Sequence, residues 1–153
     1  MAKKVTKTIP VVAALNETAW YEQRRAEISK LSATARLALK RNMKILNDLC
    51  VSFRELRAEL DQELRDNYST DEKSYETKDD QGRDSRAIKD EFLEEWNKDV
   101  AEVNEKLNKL SAEEEDVELY VIDLDAEIER IDEKDLEIDD ATIDMLSLFE
   151  GDE

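Results

Sequence analysis

Between Asn16 and about Tyr68 apolar residues return every three or four positions, and neither Gly nor Pro interrupts them. That pattern predicts a single helix of about 80 Å at 1.5 Å per residue. Its start is well marked: Asn16 can cap the first turn, Glu17 complements the helix dipole, and Leu15 stands where it can clip onto Trp20 as a hydrophobic staple. Farther along, Leu46, Leu49, Phe53, Leu56 and Leu60 alternate intervals of three and four, a narrow seam that needs a partner helix. Residues 85–110 supply one, with Ile88, Phe92, Trp96, Val100, Val103, Leu107 and Leu110 in the same rhythm. Glu94 with Lys98, Glu102 with Lys106 and Glu105 with Lys109 form favourable i,i+4 pairs on its outer face. Residues 69–84 are polar throughout, include Gly82, and read as a mobile connection. The expected fold is therefore mainly α. A long antiparallel helical hairpin occupies 16–110, with helices at about 16–68 and 85–110 and a loop at 69–84, behind a flexible N-terminal arm at 1–15. The second helix spans about 39 Å, half the length of the first. The early part of the long helix must then be covered by something else, or break near Ser32 to Thr34 and fold back.

After Leu110 the rhythm changes. Ser111 and Glu114 fit a capping box, and Val117, Leu119 and Val121 then alternate with period two, the mark of a half-buried strand. Leu136 and Ile138 precede Asp139 or Asp140, either of which can cap a last short helix carrying Ile143, Met145, Leu146, Leu148 and Phe149. Residues 111–153 read as an acidic C-terminal clip, a small β/short-helix element, because their apolar positions are too regular for a disordered tail.

The layout resembles a family of small uncharacterised proteins encoded by bacteriophages of Gram-positive bacteria. The residues that carry the likeness are the long charged helix, the polar loop with Asp79-Asp80-Gln81-Gly82, the second helix with Phe92-Leu93-Glu94-Glu95-Trp96, and the ending Leu136-Glu137-Ile138-Asp139-Asp140-Ala141-Thr142-Ile143-Asp144-Met145-Leu146. Where the family usually has a Gly and a Pro near the start of the last helix, this chain has Glu and Asp. The resemblance is one of architecture and implies no catalytic residues. It implies a phage origin and a place in the cytoplasm of an infected bacterial host.

Charge sharpens the picture. Of 18 surplus negative charges, 17 fall in the last 43 residues, where 19 Asp and Glu face only Arg130 and Lys134, while the first 60 residues carry 12 Lys and Arg against 6 acids. Like charges summed in this way steer association over distances that contacts cannot reach. At 153 residues the chain has the size of one domain, and its 42% charged residues with only two Gly and one Pro lack the turn chemistry of sandwiches and barrels. A single cysteine, Cys50, allows no internal disulfide and fits a reducing compartment. The basic lead and the run Ile9–Leu15 imitate a signal peptide, but Pro10 interrupts the run and Asn16 and Glu17 follow at once. No apolar run approaches the roughly 18 residues of a membrane span.

Catalysis finds little support in the residues. Histidine, the commonest general base, is absent, Cys50 lies among Leu46, Leu49 and Phe53 as a packing residue, and no Gly-rich phosphate loop or nucleophile elbow occurs. The chain reads as non-enzymatic, with no cofactor. Asp123, Asp125, Glu127 and Glu129 alternate as if to share one face of a strand, yet Ile128 stands where a calcium loop needs Gly, so a solvated acidic face is expected there and no metal site. Arg24, Arg25, Lys30, Arg36, Lys40, Arg41 and Lys44 wind around the first helix and are read as the surface onto which the acidic tail folds. A net charge of -18 argues against nucleic acid as the direct partner.

The expected function is binding to a basic surface of a partner protein. One form of it is nucleic-acid mimicry, inhibiting a host defence or DNA-binding protein. The carboxylates expected to make the contact are Glu113, Glu114, Glu115, Asp116, Glu118, Asp123, Asp125, Glu127 and Glu129. The alternative is a phage structural, scaffold or assembly-chaperone protein, a homo-oligomer that self-associates through the seam from Leu46 to Leu60 or the region from Trp20 to Leu39.

Overall fold

A computed structural model describes residues 3–151. It is mainly helical, with two small antiparallel sheets of two strands each. The chain divides into two compact units: one holds everything up to Val51 together with the segment from Ala112 onward, the other Ser52–Ser111.

The first unit begins with a strand, not a flexible arm. β1 (Lys4–Pro10) pairs antiparallel with β4 (Glu114–Tyr120), so the β-branched residues Val5, Thr6, Thr8 and Ile9 find a ladder far along the chain. Pro10 ends β1 with φ -73° and stands as the residue before α1 (Val11–Gln23), whose first amide donates to the carbonyl of Glu113 at 3.1 Å. The helix therefore starts five residues before the expected cap Asn16. It also ends early. A short α2 (Arg25–Ile28) and a turn through Ser29–Ser32 separate it from α3 (Ala33–Tyr68), which Ser32 caps by accepting the Ala35 amide at 3.1 Å. The helix expected over 16–68 is thus broken, at Arg24 and again over Ser29–Ser32, just before and at the edge of the Ser32–Thr34 position named as the alternative.

The C-terminal segment folds onto the early part of α3. Ala14, Leu31, Leu39, Leu46 and Cys50 join Leu119, Ile131, Met145, Leu146 and Phe149 in one buried cluster. Asp123 caps α5 (Leu124–Glu133) by accepting the Ala126 amide at 3.1 Å, and Asp139 caps α6 (Asp140–Leu146) by accepting from Thr142 at 2.8 Å. The bond to Thr142 holds the Asp139 carboxyl below its ordinary range.

Asn42 ties α3 to the strand. Fully buried, its side-chain amide donates to the Tyr120 carbonyl at 2.9 Å and its oxygen accepts the Tyr120 amide at 2.7 Å, which completes the strand edge as a neighbouring strand would. Replacing Asn42 with Leu leaves the partly buried amide and carbonyl of Tyr120 without their partner, and urea unfolding should register a loss of about 2–4 kcal/mol.

In the second unit the polar stretch and the start of the expected second helix form a hairpin. β2 (Ser74–Lys78) pairs with β3 (Asp84–Ile88). The turn is local chemistry: one Asp79 carboxylate oxygen accepts the amides of Gln81 and Arg83, each at 2.9 Å, and Gly82 takes a φ of 77° that suits a residue without Cβ. α4 (Leu93–Ser111) follows. Tyr68 closes the end of α3 against it, donating to Asp99 at 2.6 Å while its ring meets Trp96 edge-on at 5.0 Å.

Candidate acidic binding surface

The β1–β4 ribbon sorts its side chains by the alternation of a strand. Val117 and Leu119 are buried, whereas Glu114, Asp116 and Glu118 point to the solvent side. Their cross-strand neighbours are Pro10, Thr8 and Thr6, none of them charged. Thr8 donates a hydrogen bond to Asp116. Residues two apart along a strand rise about 6.8 Å, so three carboxylates stand in an evenly spaced row. Among the described residues, Glu114, Asp116 and Glu118 form no ion pair, and neither do Glu113 before the strand or Glu115 within it.

The remaining sequence-predicted residues divide differently. Asp123 is the cap of α5, and Asp125 and Glu129 are exposed on that helix, four residues apart and so on one face. The alternating acids expected on a strand are helical here, because Leu124, Ile128 and Ile131 also satisfy a 3.6-residue period and pack toward the core. That change of period turns Glu127 inward. It is buried at 9% exposure, and its carboxylate accepts the Ser32 amide at 2.7 Å and the Ser32 hydroxyl at 2.9 Å. Glu127 thus supports the start of α3 and is not part of the exposed surface. Glu127→Ala should lower stability by about 2–3 kcal/mol by leaving the amide and hydroxyl of Ser32, the cap of α3, without their charged acceptor, as measured by chemical denaturation.

The acidic segment does lie on the basic helix, but an apolar core joins them. Among the described residues, no ion pair links Arg36, Lys40, Arg41 or Lys44 to the chain beyond Ala112; Arg41 instead sits 5.1 Å from the centre of the Tyr120 ring, which Lys4 also approaches at 4.8 Å. The acids of the ribbon are therefore left for solvent or a partner.

One functional group went unnoticed in the sequence. Glu17, read as a dipole-complementing residue, is 6% exposed, and one of its carboxylate oxygens accepts no hydrogen bond among the described residues. Burial pushes its carboxyl up to about 8, partly opposed by Arg24. A Glu seven residues after a prolyl–valyl start, on the face of Ala14 and Tyr21, was the available signal.

Among the described residues, no group of three or more Cys, Asp or Glu is placed to hold a metal ion, and no helix is long and apolar enough to cross a membrane. Compared with known protein families, with curated proteins and with solved structures, the chain matches none.

Proposed function

We propose that this is a non-enzymatic protein that binds a basic surface of a partner protein through its β1–β4 ribbon, in the manner of a nucleic-acid mimic. The observation that carries the reading is the row of exposed carboxylates at Glu114, Asp116 and Glu118, which form no ion pair among the described residues. Their regular spacing of about 6.8 Å along a strand sets like charges in a row, as the phosphates of a nucleic-acid strand are set. An array of Lys and Arg that follows a phosphate backbone can follow this row. Asp125 and Glu129 add exposed charge from α5, and the pairing of β1 with β4 keeps the row rigid. The phage-like layout of the residues supports a setting in the cytoplasm of an infected bacterium, where the partner is a host defence or DNA-binding protein.

The experiment is capture from a bacterial lysate on the immobilised protein at about 50 mM and about 500 mM salt, where screening differs several-fold. The expected result is a DNA-binding protein held at low salt only and released by added duplex DNA. A captured protein that duplex leaves in place contradicts mimicry.

A further inference from the structure

The Ser52–Ser111 unit adds no residue to the buried apolar cluster of the molecule. Its buried side chains are Tyr68, Ser74 and Leu107. Phe53, Leu56, Leu60 and Leu64 on α3, with Val100 and Val103 on α4, remain only half-buried although they repeat at intervals of three and four. A groove of about 360 Å³ runs along part of this stripe, lined by Leu60, Leu64 and Val103 together with Glu63, Asp99, Glu102 and Lys106.

We propose that a second copy of this chain docks on that stripe across a two-fold axis, so that α3 and α4 of each copy complete a four-helix bundle. Three arguments select a second copy. The three-four spacing is the packing code of helix bundles, in which each stripe is covered from more than one side. The available area suffices: α4 has 19 residues, so a face about 28 Å long and two helices wide presents roughly 550 Å², and two copies together bury about 1,100 Å², inside the range of weak specific interfaces. The groove sets one cation, Lys106, among three acids, so a two-fold operator can place Lys106 of each copy against Glu63 or Glu102 of the other. A self-complementary patch supplies its own partner.

The proposal uses residues of the Ser52–Ser111 unit alone and does not depend on the acidic ribbon. The two also respond oppositely to salt. Each chain carries a net charge of -18, so like charge opposes the pair and salt should strengthen it, whereas salt should weaken ribbon binding.

Sedimentation of the full chain over rising concentration, at low and at high salt, reads the outcome, with hydrogen exchange of the wild-type protein at the lowest and highest concentrations to locate the contact. The expected result is a doubling of mass, favoured by salt, with new protection confined to 53–64 and 96–107. Leu60→Glu combined with Val103→Glu should weaken the dimer at least about 30-fold while reversal of Glu114, Asp116 and Glu118 leaves it intact. If the double variant loses helicity, the wild-type exchange map decides. A single-chain mass under all conditions, or a dimer protected elsewhere, overturns the proposal.

Discussion

Glu17→Gln will make the protein more stable at pH 9 and leave it unchanged near pH 4. The folded chain holds the Glu17 proton up to about pH 8, while the unfolded chain releases it around 4.5. Below 4.5 both states are protonated and the residue contributes nothing that depends on pH. As pH rises from 4.5 towards 8 the unfolded chain gains the free energy of ionising in water and the folded chain does not, so stability falls across this window and levels off above it. The full shift corresponds to at most about 4–5 kcal/mol, and relaxation of the protein around the ionised carboxylate brings the expected effect to roughly 2–3 kcal/mol. Gln keeps the shape and cannot ionise, so the difference between wild type and variant isolates this group from the many exposed acids. Urea titrations at several pH values should show the two proteins diverging between pH 4.5 and 8. A constant difference would mean that Glu17 keeps its ordinary titration. A variant that is less stable at pH 9 would mean that Arg24, the one opposing charge, already stabilises an ionised Glu17.

How far this fold was legible depended on whether its signals were local. β4 could be read from Val117 and Leu119, because alternation with buried partners is visible in seven residues. Its partner β1 could not. Lys7 interrupts the apolar alternation of Val5 and Ile9, and the residues that complete the ladder lie more than 100 positions away. The cap Asp139 was readable for the same local reason, whereas the break before α3 has no Gly or Pro to announce it. Ser32 caps that helix, and the carboxylate that fixes Ser32 comes from Glu127. The hairpin of β2 and β3 was hidden by its polarity, although Asp79 and Gly82 spelled its turn.

The candidate surface shows the same division. Glu114, Asp116 and Glu118 could be named from charge and alternation together, and they share one face of β4. Glu127 was misplaced because a row of alternating acids looks like a strand until Leu124, Ile128 and Ile131 are seen to fit a helix just as well. Once the helix is accepted, position 127 falls between 124 and 131 on the inner face, and its burial follows.

The larger functional effect belongs to the ribbon. Replacing Glu114, Asp116 and Glu118 by Lys changes the local charge by six units on a surface where no cation of the chain forms a salt bridge with these acids among the described residues. Against a basic partner, each reversal converts attraction into repulsion and affects both the encounter rate and the bound state. The combined loss should reach at least about 100-fold in affinity. Folding should be spared, because the three side chains are exposed and the ladder of β1 with β4 is made by backbone groups. Circular dichroism and the melting temperature serve as that control. Asp125→Lys with Glu129→Lys on α5 provides a milder comparison, since these two acids lie off the row.

The measurement that tests the central claim most directly is the affinity of the captured partner for the wild-type chain and for the Glu114→Lys, Asp116→Lys, Glu118→Lys variant, titrated side by side over a range of salt. The account predicts that wild-type binding weakens steadily as salt rises and that the variant binds at least about 100-fold more weakly at low salt while keeping its helicity. Equal binding by the two proteins, with little dependence on salt, would contradict it.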